Sequence, residues 1–171
     1  GYTGGIYGGE YNRLYSSYTN IGGGYSNSAQ YAYSKVGGGY DSWTYGYAAG
    51  VSGGQYNNAM TSYTTIGGGQ YNKIYVAYGQ IRGGRYNTVK AYAGSITGGT
   101  YNTIYAGKYA YIGGGTGSLI SSGFSSTIIG GDGHVLSGAY STIVGGYENT
   151  MAGDASTLVG GNTNAIIGDY S

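Results

Sequence analysis

The chain has 171 residues, of which 40 are Gly and 25 are Tyr, with no Pro, no Cys and only 8% charged side chains. Without Cys there is no disulfide framework, thiolate metal site or cysteine nucleophile, and without Pro or a three-residue glycine period there is no collagen helix. The formal charge of +1 conceals a division: residues 1–112 carry seven bases against two acids, whereas residues 113–171 carry four acids and no base.

Taken along the chain, Gly-Gly pairs begin at residues 8, 23, 38, 53, 68, 83, 98, 114, 130, 145 and 160. The interval is 15 residues, with two adjacent steps of 16. Counted from the first Gly of each pair, the unit reads G-G-x-Y-N-x-I-x-small-x-Y-x-x-I-x. A period this short cannot hold a helical hairpin, and its Gly and β-branched content disfavours helix. It fits one coil of an all-β, single-domain parallel β-solenoid or β-roll of about 11 turns with two short strands per turn. Residues 1–112 form the Tyr-rich basic part and residues 113–171 the Tyr-poor acidic part, joined at an irregular corner within residues 105–127.

The opening segment carries only the second aliphatic column, as Ile6. From Gly8 onward both columns run. Position 7 holds Leu14, Ala29, Ala59, Ile74, Val89, Ile104, Ile120, Leu136, Met151 and Ile166. Position 14 holds Ile21, Val36, Val51, Ile66, Ile81, Ile96, Ile112, Ile128, Ile143 and Leu158. Seven residues apart in a fifteen-residue coil, these columns are expected to meet across the interior. Turns are expected at Gly-Gly and, half a coil later, at small residues such as Gly46, Ala91, Ala106, Gly138, Gly153 and Gly168. The two-strand coil stacks at about 4.8 Å per turn, giving a rod roughly 50 Å long.

Position 5 repeats Asn12, Asn27, Asn57, Asn72, Asn87, Asn102, Asn149 and Asn164. These amides are expected to point inward at the glycine corner and stack as a ladder. His134, the sole histidine, takes the same position and reads as a structural substitute. Tyr rows fall on the outward phase: Tyr11, Tyr56, Tyr71, Tyr86 and Tyr101 at position 4, and Tyr15, Tyr45, Tyr75 and Tyr105 at position 8. A third row, Tyr18, Tyr33, Tyr63, Tyr78, Tyr140 and Tyr170, lies near the second corner. Exposed aromatic rows imply contact surfaces. Trp43, the only tryptophan, precedes Thr44 and reads as local compensation for that polar residue in the first aliphatic column.

The signature GG-x-x-N-x-hydrophobic-x-G…ST-I-x-GG is clearest in the segment GGDGHVLSGAYSTIVGGYENTMAGDASTLVGGNTNAIIGDYS, from Gly130 to Ser171. It resembles the YadA-like head repeats of trimeric autotransporter adhesins and related bacterial or phage surface fibres. The resemblance implies a left-handed parallel β-roll, trimerisation through one sheet, and a part of a fibre or adhesin. The chain departs from those repeats by placing Tyr where small residues stand, and by lacking a neck motif, coiled-coil stalk and membrane anchor.

No catalytic, cofactor or metal site is expected. One histidine precludes a two-histidine metal site within the chain, GGDGHVLSG lacks the repeated Asp of calcium-binding nonapeptides, and no carboxylate pair recurs. About one base per repeat is too sparse for nucleic acid, and no stretch approaches the ~20 apolar residues of a membrane span. Neither an initiator Met nor a signal peptide opens the chain, which suggests a processed product or an excised fragment. With no capping turn in the sequence and opposite charge in its two parts, the chain is expected to assemble head-to-tail. The expected function is therefore a non-enzymatic structural subunit of an extracellular or cell-surface filament, its partner being itself as a homopolymer, a trimer or a lateral bundle. Two alternatives use the same scaffold: an adhesin head binding glycans or surfaces through Tyr rows, and an ice-binding face on Thr65, Thr127, Thr142 and Thr157, whose row is broken by Asn20, Lys35, Gln80 and Tyr111.

Overall fold

A computed structural model describes residues 3–171. They form twenty-two strands, nearly all of two residues, from β1 (Gly5–Ile6) and β2 (Arg13–Leu14) to β21 (Thr157–Val159) and β22 (Ala165–Ile166). The odd-numbered strands make one parallel eleven-stranded sheet and the even-numbered strands a second. The chain is thus an all-β solenoid of about eleven turns, with one strand of each sheet per turn. No helix of the described residues is long and apolar enough to cross a membrane.

Register follows the sequence period. Ile81 pairs with Ile66 and Ile96, fifteen residues to either side, and the pattern changes only where the sixteen-residue turns pass, at Ile96↔Ile112 and Ile112↔Ile128. Strands so short are held by a continuous ladder, in which even the corner residues bridge, as in Gln55↔Gln70 and Gln70↔Arg85. Each rung therefore depends on its neighbours rather than on its own length.

The core is two facing stacks. Ile21, Ile66, Ile74, Ile81, Ile96, Ile104, Ile112, Ile120, Ile128, Leu136 and Ile143 are fully buried, as are Val89 and Met151. Leu14 and Ile166, in the outermost described turns, are only partly covered. The interior is thinnest at Ala29, Thr44 and Ala59, where the apolar core divides into two clusters. Thr44 is itself buried, and its hydroxyl donates to the Ser28 carbonyl at 3.4 Å. Trp43 does not compensate for Thr44 from within, because strand alternation turns the indole to the outer face of the second sheet.

The two glycines of each pair have different duties. The second, from Gly9 to Gly161, has φ between +81° and +108°, and in nearly every turn a Cβ there would run into the carbonyl oxygen of the glycine one rung on. A Cβ on the first glycine meets open space at Gly8, Gly53, Gly83 and Gly98. The second position is reserved for glycine in every turn, whereas the first takes a positive φ in some turns, as at Gly68 (+154°) and Gly145 (+63°), and is under neither constraint at Gly8, Gly53, Gly83 and Gly98.

Each fifteen-residue turn is an eight-residue half followed by a seven-residue half, as the steps Ile81–Val89 and Val89–Ile96 show. In the two sixteen-residue turns the shorter half gains one residue. The additions stack: Gly107, at φ +96°, lies directly against Gly123, at φ +108°. The irregular corner is thus two neighbouring rungs making the same adjustment.

Candidate contact surface: two aromatic ladders and a tryptophan groove

Both corners contain a left-handed residue, and most are not glycine. Position 4 runs from Tyr11 through Tyr56, Tyr71, Tyr86 and Tyr101 at φ +55° to +59°, and position 11 includes Tyr18, Tyr33, Tyr63, Tyr78, Tyr109, Tyr140 and Tyr170 at φ +55° to +62°. An L residue in this conformation costs about 1–2 kcal/mol. Position 4 therefore does not belong to an outward strand phase; it is the corner itself.

Behind the left-handed residue, position 5 locks the corner. Asn72 donates from Nδ2 to the Gly68 carbonyl of its own turn and the Gly84 carbonyl of the next, both at 2.9 Å, while its Oδ1 accepts the Asn87 backbone N–H at 3.0 Å. Asn12, Asn27, Asn57, Asn87 and Asn102 repeat the pattern, with Asn27, Asn57, Asn87 and Asn102 fully buried. Asn149 accepts from the Asn164 backbone, and Asn164 lies exposed on the last described rung. Ser42, Ser118 and His134 interrupt the column. His134 Nδ1 accepts the Asn149 N–H at 3.2 Å, whereas its buried Nε2 and the Ser118 hydroxyl find no partner. Burial holds the His134 imidazole below its ordinary pKa, against the smaller opposing pull of Asp132.

Sequence reasoning missed a second ladder at the opposite corner. Ser126, Ser141 and Ser156 donate to the Gly138, Gly153 and Gly168 carbonyls at 2.7, 2.8 and 3.2 Å. Seven residues separate this Gly–Ser pair from the equivalent Gly–Asn pair, so both halves of the coil use one device.

The tyrosines form continuous stacks. At the first corner Tyr11, Tyr25, Tyr40, Tyr56, Tyr71, Tyr86 and Tyr101 follow one another with ring centroids 4.7 to 5.4 Å apart. Tyr25 and Tyr40 come from position 3, in the turns where position 4 is Ser26 or Asp41. At the second corner Tyr18, Tyr33, Tyr47, Tyr63, Tyr78, Tyr92, Tyr109, Phe124 and Tyr140 follow one another at 5.0 to 6.2 Å, with Tyr47, Tyr92 and Phe124 supplied from position 10. Each rung contributes one ring from either of two adjacent positions. The signal was in the sequence: within the stacks an aromatic precedes each non-aromatic corner residue, at Ser26, Asp41, Ala48, Ala93 and Ser125.

Parallel stacking alters what the rows present. Tyr56 to Tyr101 lie within 2° to 10° of parallel, so their faces cover one another and their rims meet solvent. The position 8 row differs, since Tyr15, Tyr45, Tyr75 and Tyr105 occur on alternate rungs with Gln30, Met60 and Lys90 between. Lys90 Nζ sits 5.8 Å from the Tyr75 ring and 4.9 Å from that of Tyr105. Burial, with Tyr15 and Asp41 nearby, pushes the Tyr45 phenol up, and a hydrogen bond from Gln30 opposes this.

On the same face Trp43 stands as a ridge. Toward higher residue numbers it borders a groove of about 320 Å³ with Asp41, Tyr45, Tyr56, Asn58, Tyr71 and Lys73, and on its other side a smaller groove with Arg13, Tyr15 and Gln30. Its Nε1 donates to Asp41 Oδ1 at 2.7 Å, and its rings lie 5.6 Å from Tyr45 at a tilt of 31°.

No sequence model of a protein family matches the chain, and no curated protein matches it significantly.

Proposed function

We propose that this chain is a non-enzymatic structural unit of an extracellular fibre, lengthened by further coils laid on its open rungs. The observation that supports this most is register: both sheets run unbroken to the last described turn, where Ile166 is half-covered and Ile167 is 79% exposed. A turn from a second copy would cover this edge and extend both ladders. The basic part of one copy would then face the acidic part of the next. The YadA-like reading is supported by the two-layered parallel coil and by the Gly–Asn and Gly–Ser corners. Lateral contact has support in the outer face of the first sheet, where Gly22, Gly37, Ser52 and Gly67 leave a low surface.

Electron microscopy of the purified chain tests the proposal. Threads many times longer than one rod, with a 4.7–4.8 Å axial repeat in fibre diffraction, are expected, and monodisperse rods at high concentration would overturn it. A second reading, attachment to saccharides, is favoured by one feature, the Trp43 groove.

A further inference from the structure

The stacked tyrosines are poor sugar platforms, because a pyranose packs its C–H face on a free ring face and the ladder faces are taken by their neighbours. Trp43 and Tyr45 lie outside both ladders. Their 31° tilt makes a shallow, nearly continuous apolar shelf rather than the upright walls of a cage.

Polar groups border this shelf with hydrogen-bonding capacity to spare. Asp41 spends Oδ1 on the indole, which fixes the Trp43 rotamer and leaves Oδ2 to accept. Asn58 lies in the groove with its Oδ1 shut off from solvent and unpartnered, so the amide N–H groups are the end available to a ligand. Lys73 stands two rungs beyond Asp41, on the order of 10 Å along the axis, and adds donors at the far end. An aromatic shelf between an acceptor and two donors matches the alternating hydroxyls and C–H faces of a saccharide. Lys73 also opposes the rival occupant of an aromatic site, a quaternary ammonium. The volume, about 320 Å³, lies at the small end of ligand sites and suits one or two sugar rings. The smaller groove beyond Trp43, with Arg13, Tyr15 and Gln30, extends the track along the rod.

We propose that the Trp43 groove is a binding site for a neutral or N-acetylated oligosaccharide, with Trp43 and Tyr45 as the stacking shelf and Asp41, Asn58 and Lys73 as the hydroxyl-reading groups. The proposal gives the attachment reading a location and stands apart from fibre formation.

Trp43 is the only tryptophan, so its fluorescence reports on this groove and its extension past the indole. Full-length protein is titrated with β-1,4-linked glucose and N-acetylglucosamine trisaccharides, with choline in parallel, and each variant is checked by circular dichroism. A saturable emission change with either trisaccharide is expected, weakened about tenfold in Tyr45→Ala, at least as much in Asp41→Asn and Lys73→Ala, and unaltered in Tyr105→Ala. A response to choline without one to sugar, no response to either trisaccharide at millimolar concentration, or equal loss in Tyr105→Ala would overturn it. A monodisperse rod that still binds sugar would sink the fibre reading and leave this one intact.

Discussion

The seven turns from Gly8 and the four from Gly114 share a backbone but not a surface. In the first group the left-handed site at position 4 holds Tyr, or Ser26 or Asp41 beside a Tyr; in the second it holds Gly117, Gly133, Glu148 and Thr163. The second corner reverses the contrast: in the first group Thr19 and Thr64 bond only within their own turn and Ala49, Gly79, Gly94 and Ala110 offer no side-chain bond, whereas Ser126, Ser141 and Ser156 each bond the next rung. On the first sheet, Gly22 and Gly37 give way to Ile129, Val144 and Val159. What stays fixed is the Gly-Gly pair and, Thr44 apart, the aliphatic pair. These positions, with the corner hydrogen bonds behind them, close the coil, and the outward positions are free to make surface.

A stacked ring gains about 0.5–1.5 kcal/mol per pair, which offsets the left-handed cost of a Tyr held between two others. Where position 4 lacks an aromatic beside it in sequence, glycine occupies it at Gly117 and Gly133, and Thr163 keeps the left-handed conformation on the last rung.

The comparison can be broken most severely at a glycine common to both groups. Gly84→Val places a side chain against the Gly99 carbonyl at φ +89°, and a loss of about 4 kcal/mol or more in denaturant unfolding is expected. Gly83→Ala next to it should cost far less, since a Cβ there meets open space. The corner bonds come next. Asn87→Ala strands the Gly83 carbonyl and the Asn102 N–H and leaves the Gly99 carbonyl with the Arg85 N–H alone, for about 3 kcal/mol, whereas Ser126→Ala chiefly loses its bond to Gly138, for about 1 kcal/mol. Equal losses would refute the ranking of the two ladders.

His134→Asn sharpens the contrast with a smaller effect of opposite sign. An amide in that place could reach both glycine carbonyls, and about 1 kcal/mol of stabilisation is expected. It should also remove an acid sensitivity. The folded His134 pKa lies below its unfolded value of 6.5, so the unfolded chain takes up the proton first and stability falls as pH drops below about 6.5. Thermal melts at about pH 7.5 and pH 5 should diverge for the native chain more than for the variant. Smallest of all, Tyr86→Asn gives up stacks on Tyr71 and Tyr101 but relaxes the backbone, and a change within about 1 kcal/mol is expected.

Period, fold class and the two aliphatic columns were legible because each is set by backbone stacking, which forces equivalent residues into equivalent places. The aromatic ladders were legible only as fragments. Side chains leaving a tight corner from positions 3 and 4 converge on one stack, so Tyr25 and Tyr40 join Tyr11 and Tyr56 although a strict column count separates them. Left-handed Tyr was hidden by the ordinary penalty that argues against it. The Ser126 to Ser156 ladder was hidden because the same position varies among Thr, Ser, Ala and Gly in the earlier turns, and the Trp43 groove because it depends on side chains from three rungs.

Gly107 and Gly123 carry one more lesson. A corner can change size wherever the next rung changes with it, so loop length here is a property of neighbouring pairs. A guest peptide grafted at Gly107 alone would lose its support, while matched grafts at Gly107 and Gly123 would sit on a floor already widened to receive them.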